Sequence, residues 1–242
     1  MLNRRHVLAG MVGSLVASRA ARADEREKQT WQFAVEHVEL HVKGLDPVHD
    51  GVRIGQLSDI HIGANTPDGR VISAVDAIND AHVDVVALTG DYVTRPGDPL
   101  ERVPELLGRL RGDVVAVFGN HDHWTDVKTI RRSLDKTGFC TLRNENTTLS
   151  VRGKRFTILG IDDGVTRHAD VAQTFKGAHA GSRLVLAYAP PTADKLPPGA
   201  GLACLSGHTH GGQVFLGALT EGIFLRAGPP YSRGRYDVNG NT

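Results

Sequence analysis

The chain reads as a single α/β domain built on two sheets, and three observations carry that reading. Short apolar runs, Val52 to Leu57, Val83 to Leu88 and Val114 to Phe118, each end in a polar cluster. Amphipathic stretches at helical spacing lie between them, the alternation of a parallel βαβ sheet. Past Phe139 the texture changes to short alternating runs around a glycine turn, which begins a second, partly antiparallel sheet. A length of 242 residues suits one domain, and 40% hydrophobic residues suffice for a sizeable core.

The first 23 residues read as an export signal. Arg4 and Arg5 precede a small and apolar run, Val7 to Ala17, and Ala21-Arg22-Ala23 matches an A-x-A cleavage pattern before Asp24. That run is shorter than the ~20 residues of a membrane span. The arginine pair resembles a twin-arginine signal; an ordinary secretory signal and an uncleaved anchor are the alternatives. The domain is then residues 24–242, in the periplasm or another extracytoplasmic compartment, and peripheral membrane contact is compatible with that placement. The four arginines of this segment also explain the formal charge of +1. Without them the 28 basic side chains fall below the 27 acidic ones, for a net of about −3. Such a surface offers no basic stripe, so no nucleic-acid partner is expected.

Asp24 to Lys28 is a charged linker. Trp31 to Val42 nearly alternates and predicts a half-buried strand with a bulge at Glu36-His37, leaving His37 and His41 solvated. Helices are expected over Val71–Ala81, with Val71, Ala74, Val75 and Ile78 on one face, and over Leu100–Leu110, with Val103, Leu106, Leu107 and Leu110. A third is expected over Asp126–Lys136, with Asp126 as N-cap and Gly138 as stop. Thr147–Val151 and Phe156–Ile161 form a hairpin about Gly153-Lys154, and Arg183–Ala187 and Leu202–Ser206 are further strands. From Gly217 the chain turns to Gly, Pro and polar residues, and no strand closing the domain is legible. Cys140 and Cys204 are no disulfide framework, and Cys204 reads as a small core residue.

The polar clusters are Asp59-Ile60-His61, Gly90-Asp91, Gly119-Asn120-His121-Asp122 and Gly207-His208-Thr209-His210-Gly211-Gly212. All follow strands, and open α/β sheets bind ligands at that edge. Asp59 and His61, two apart in an extended segment, can chelate one ion. Asp91 can bridge two cations, whose charge would offset its burial. Asn120 offers a neutral amide oxygen, and His121 is placed to donate a proton while Asp122 holds its tautomer. His208 and His210, flanked by glycines, can face neighbouring ions. Mixed oxygen and nitrogen donors without thiolate suit two hard or borderline divalent ions such as Mn, Zn, Fe or Mg. The chemistry implied is metal-assisted hydrolysis of a phosphate ester.

These clusters, in this order, resemble the calcineurin-like metallophosphoesterases over roughly Val52 to Tyr236. Gly207-His-Thr-His-Gly-Gly-Gln213 is similar to the bacterial YkuE-type and YaeI-type phosphodiesterase branch. The resemblance implies a four-layer α/β/β/α sandwich of two mixed sheets with two metals over the sheet edge. Asp59, His61, Asp91 and His210 would hold one ion, and Asp91, Asn120 and His208 the other. His121 would protonate the leaving group while a hydroxide bridging the ions attacks phosphorus in line. The substrates it implies are small or lipid-linked phosphodiesters and pyrophosphates, such as UDP-2,3-diacylglucosamine.

Two departures stand out. Tyr188, in Leu186-Ala187-Tyr188-Ala189-Pro190-Pro191, occupies the place where the family has a further histidine for the second ion. It can pack, leave a gap for water, or bind ferric iron as phenolate. The chain also stops where the family continues with further strands, so the C-terminal part of the fold reads as shortened. Two rival readings follow: a degraded member holding one metal with little catalysis, and a metal-binding interaction protein.

Overall fold

The computed structural model describes residues 34–210 and 231–242. The signal at 1–23, the linker at 24–28, the start of the strand expected from Trp31, Gly211, Gly212 and most of the Gly/Pro-rich stretch from Gly217 lie outside them. Every element below belongs to the unit Val35–Thr242.

The first sheet is parallel throughout and runs β1 (Ile54–Leu57), β2 (Val85–Leu88), β3 (Asp113–Ala116), β4 (Cys140–Thr141). Its connections carry helices α1 (Asp68–Asp80), α2 (Arg102–Leu107), α3 (Asn120–Thr125) and α4 (Val127–Asp135). The second sheet runs β5 (Glu145–Val151), β6 (Lys154–Ile161), β7 (Arg183–Ala187), β8 (Ala203–Leu205), with α5 (Val171–Phe175) between β6 and β7. β5 and β6 are antiparallel and the other pairs parallel, so the sheet is mixed as expected.

Period-two alternation assigns the layers. On β2, Val86 and Leu88 pack with Val71, Val75, Leu107, Ile130 and Leu134 of the helices, whereas Val85 and Ala87 face the second sheet. On β7, Leu184 and Leu186 meet that middle layer, and Val185 and Ala187 pack outward with Val171, Phe175 and Leu196. The result is helix, sheet, sheet, helix. Among the described residues no helix is long and apolar enough to cross a membrane.

Four expectations need correction. No strand forms over 34–42: Val35 and Val38 are exposed, and only Leu40 and Val42 pack against the core. Alternation there serves one face of an irregular segment that no strand among the described residues pairs. The helix expected over Leu100–Leu110 is confined to α2, because Gly108 ends it, although Leu110 stays buried. The hairpin turn is Arg152-Gly153 rather than Gly153-Lys154, with Val151 paired to Lys154. Both turn residues have left-handed φ, 50° and 78°, which the tight two-residue loop requires. Arg152 accepts this cost because its guanidinium donates to the Asp50 and Gly51 carbonyls at 2.5 and 2.7 Å. Finally, β8 does not end on a bare edge. Cys204 N–H donates to the Thr242 carbonyl at 2.7 Å, and Thr242 N–H to the Leu202 carbonyl at 2.8 Å. Asp126 caps α4 as expected, and both cysteines are free.

Candidate metal centre

The loops leaving β1, β2, β3, β7 and β8 converge at one edge, because all five strands run parallel within their sheets. Beyond β1 the pairing with the β2 loop persists: Asp59, His61 and Ile62 donate their N–H groups to Gly90, Asp91 and Tyr92 carbonyls at 3.0, 3.0 and 2.8 Å. Asp59 and His61 are thereby fixed against Asp91.

Five of the expected ligands occupy left-handed backbone: Asp59 (φ 51°), His61 (50°), Asp91 (57°), His208 (71°) and His210 (50°). Such residues cost on the order of 1–3 kcal/mol each and persist where surrounding structure over-determines them. The flanking glycines permit the close approach of the loops. A Cβ at Gly90, itself at φ 107°, would lie 2.6 Å from Gly119 N, and one at Gly207 would collide with Ser58 Oγ and stand 2.7 Å from Asp59 Oδ2.

Asp59, His61 and His210 bring one donor atom each within 4.8 Å of one another. His210 Nε2 lies 3.4 Å from Asp59 Oδ1 and 3.3 Å from His61 Nε2. Asp91 Oδ2, outside that triad, is 3.9 Å from His61 Nε2. Burial, then the neighbouring His210 and His121 rings, hold His61 below the usual imidazole range, which keeps its nitrogen free to bind a cation. Burial likewise lowers His208. Asp91 is pushed up to about 7 by burial, a cost that a bound cation would offset. Thr94, which no sequence pattern flagged, contacts His61 Nδ1 through its hydroxyl at 3.1 Å and orients the ring.

The site residues therefore fit one divalent ion on geometry and chemistry alike. Asn120 Oδ1 is also buried and has no hydrogen-bond partner among the described residues, as a ligand oxygen would be. Asp91 and His208 meet at the Tyr188 hydroxyl, which contacts Asp91 Oδ2, lies 2.9 Å from Asp59 Oδ1 and 3.4 Å from His208 Nδ1. Burial, then the Asp91 and Asp59 charges, drive the phenol pKa upward, so its proton stays on oxygen.

His121 stands beside the triad, its ring centroid 5.1 Å from that of His61. Its Nδ1 is 2.6 Å from the Thr94 carbonyl oxygen. A carbonyl only accepts, so Nδ1 carries the hydrogen. Asp122 therefore does not set the His121 tautomer, as the sequence suggested. It is fully buried and accepts N–H donors from Asp91, Tyr92 and Gly119 at 2.8, 2.9 and 2.9 Å, clamping the β2 and β3 loops together. Burial and the Asp91 charge raise its pKa, and the three N–H donors pull the other way. His123 turns from the site to hydrogen-bond Asp162 at 2.8 Å and stack on His168, while the Trp124 indole stays exposed against the His121 edge.

Comparison with known proteins places the chain in a family. The model of the family described as calcineurin-like phosphoesterase matches residues 52–212. The uncharacterized metallophosphoesterase YkuE of Bacillus subtilis is 29% identical over 250 residues, 98% of this chain and 87% of that protein. YkoQ of the same organism, also an uncharacterized metallophosphoesterase, is 28% identical over 77% of this chain and 71% of its own length. The UDP-2,3-diacylglucosamine pyrophosphatase LpxG of Chlamydia trachomatis is 24% identical over 77% of this chain and 73% of that protein.

Proposed function

Because the chain belongs to the calcineurin-like phosphoesterase family, metal-dependent hydrolases of phosphoester bonds, we propose that it hydrolyses phosphodiester or pyrophosphate linkages in an extracytoplasmic compartment. The observation that carries the reading is the Asp59-His61-His210 triad with a tautomer-fixed His121 beside it. A divalent ion bound by the triad would polarise a phosphoryl oxygen and ease deprotonation of water.

The chain's own side chains supply the rest. Asp59 and Asp91 give negative charge to hold the cation, and the lowered basicity of His61 keeps its nitrogen available. Asp122 keeps the Asp91 and Asn120 loops in register through three N–H bonds. With its Nδ1–H held by the Thr94 carbonyl, His121 would deliver a proton to the departing oxygen from Nε2 as the imidazolium, returning to the neutral Nδ1–H tautomer.

The match to YkuE over nearly the whole chain supports placement in that branch. The likeness to LpxG supports a substrate with a pyrophosphate joining a nucleoside to an acylated sugar. Export rests on the sequence of residues 1–23.

Metal-stripped protein should gain hydrolysis of bis-p-nitrophenyl phosphate on adding Mn²⁺, and UDP-2,3-diacylglucosamine should be cleaved between its phosphates. No turnover of either substrate in excess Mn²⁺, by protein that binds the ion, would leave a metal-binding interaction protein as the better reading.

A further inference from the structure

The second half of the centre differs from what the resemblance implies. Three of the residues it assigns to ions, Asp59, Asp91 and His208, converge on one phenol oxygen. Tyr188 follows β7 directly, is 1% exposed, and accepts the Gly207 N–H at its carbonyl at 3.1 Å. Its ring lies against Gly90, where an added Cβ would be 2.9 Å from Cδ2, and stands edge-on to His208 at a centroid distance of 5.2 Å.

Both Asp91 oxygens already accept a hydrogen bond. Oδ1 accepts the His121 N–H at 2.9 Å, and Oδ2 meets the Tyr188 hydroxyl. Both Asp59 oxygens share the single His208 N–H at 3.1 Å, which leaves lone pairs for the cation held with His61 and His210. A bridging carboxylate needs a second cation on its far side. Here a neutral O–H donor occupies that side and supplies the hydrogen bond that balances the buried charge.

We propose that the Tyr188 hydroxyl stands in for the second ion, so that this chain loads one divalent cation, at Asp59, His61 and His210 with Asp91 beside them. The proposal rests on the functional reading above and narrows it from two ions to one. Asn120 Oδ1 is buried and has no hydrogen-bond partner among the described residues, so it is available to a second ion once Tyr188 is changed.

The test is an ion count with Mn²⁺ on the full chain. Stripped protein receives two equivalents, bound metal is measured after gel filtration, and electron paramagnetic resonance reports the environment. Wild type should retain one Mn²⁺ per chain, with the second equivalent free and no spin-coupled pair. Tyr188→His and Tyr188→Ala, matched to wild type by circular dichroism, should retain up to twice as much and show the coupled spectrum. Two bound ions in wild type, or a coupled pair in its spectrum, overturns the proposal without need of any variant. A count of one in both folded variants also overturns it, since the hydroxyl would then not be the limit. Hydrolysis assayed on the same samples separates the two readings: turnover with two wild-type ions sinks only the single-ion proposal, whereas no bound ion sinks the functional reading with it.

Discussion

The Nδ1 atom of His121 lies 2.6 Å from the carbonyl oxygen of Thr94, so a residue after β3 is oriented by the backbone after β2. Thr94 also reaches His61 with its hydroxyl at 3.1 Å. One residue thus orients a metal-site imidazole through its side chain and the proton donor through its backbone. His121→Asn should lower kcat by ~10²–10⁴-fold for substrates with alkoxide leaving groups. The loss should be smaller for p-nitrophenyl esters, whose leaving group departs without a proton. Bound metal should be unchanged. Equal losses on both ester classes would show that His121 does not protonate the leaving group.

Asp122 serves the site through its scaffold. Its carboxylate satisfies three buried N–H groups from two loops. Asp122→Ala would leave all three unpartnered, a cost of ~3–5 kcal/mol in total after partial relaxation. Urea unfolding of the metal-free protein should show this loss, with weakened Mn²⁺ binding because Asp91 N–H is one of the three. A change under ~1 kcal/mol would mean that the loops hold without the clamp.

The strands were legible because their apolar runs are short and end in polar clusters, most plainly on β2, where all four residues are buried. The ligands were legible because they follow those strands directly. Thr94 and Asp162 were not, since a lone polar residue in a loop carries no period and their partners are distant in sequence. The segment 34–42 misled for the converse reason. Its alternation is real, but strand formation depends on a neighbouring backbone, which composition does not reveal. Tyr188 was located as a departure, yet its role depends on phenol length: only the structure shows the hydroxyl reaching past His208 to Asp59 and Asp91.

Asp162, at the end of β6, is a buried anion, its side chain 3% exposed, held by His123 at 2.8 Å and Arg143 at 2.9 Å. Burial raises its pKa, but the His123 hydrogen bond, the Asp163 N–H and Arg143 outweigh it, and the net direction is down. A lowered folded pKa stabilises the protein above the unfolded carboxylate value of about 4, and that contribution is lost as pH falls through the folded pKa. Asp162→Asn should therefore destabilise by ~1–3 kcal/mol at pH 7, because the half-buried Arg143 and His123 lose a charged acceptor. The gap from wild type should narrow below about pH 4. A gap independent of pH would assign the effect to packing rather than charge.

Trp124 is 57% exposed, yet its indole meets the His121 ring at a centroid distance of 5.0 Å and 71°. An apolar plane beside the proton donor is also beside the group that leaves, so it should contact an aromatic or acyl leaving group during binding. Trp124→Ala should raise KM for aryl phosphodiesters by ~2- to 10-fold, the worth of one aromatic contact of ~0.5–1.5 kcal/mol. Methyl esters should feel little of this, and kcat should change less than KM, because the indole takes no part in proton transfer. Trp124→Phe should recover most of the affinity, and unfolding should shift by less than ~0.5 kcal/mol at so exposed a position. If KM for aryl and methyl esters rises equally, the indole acts by orienting His121, and kcat would then fall with the pH profile of that residue displaced.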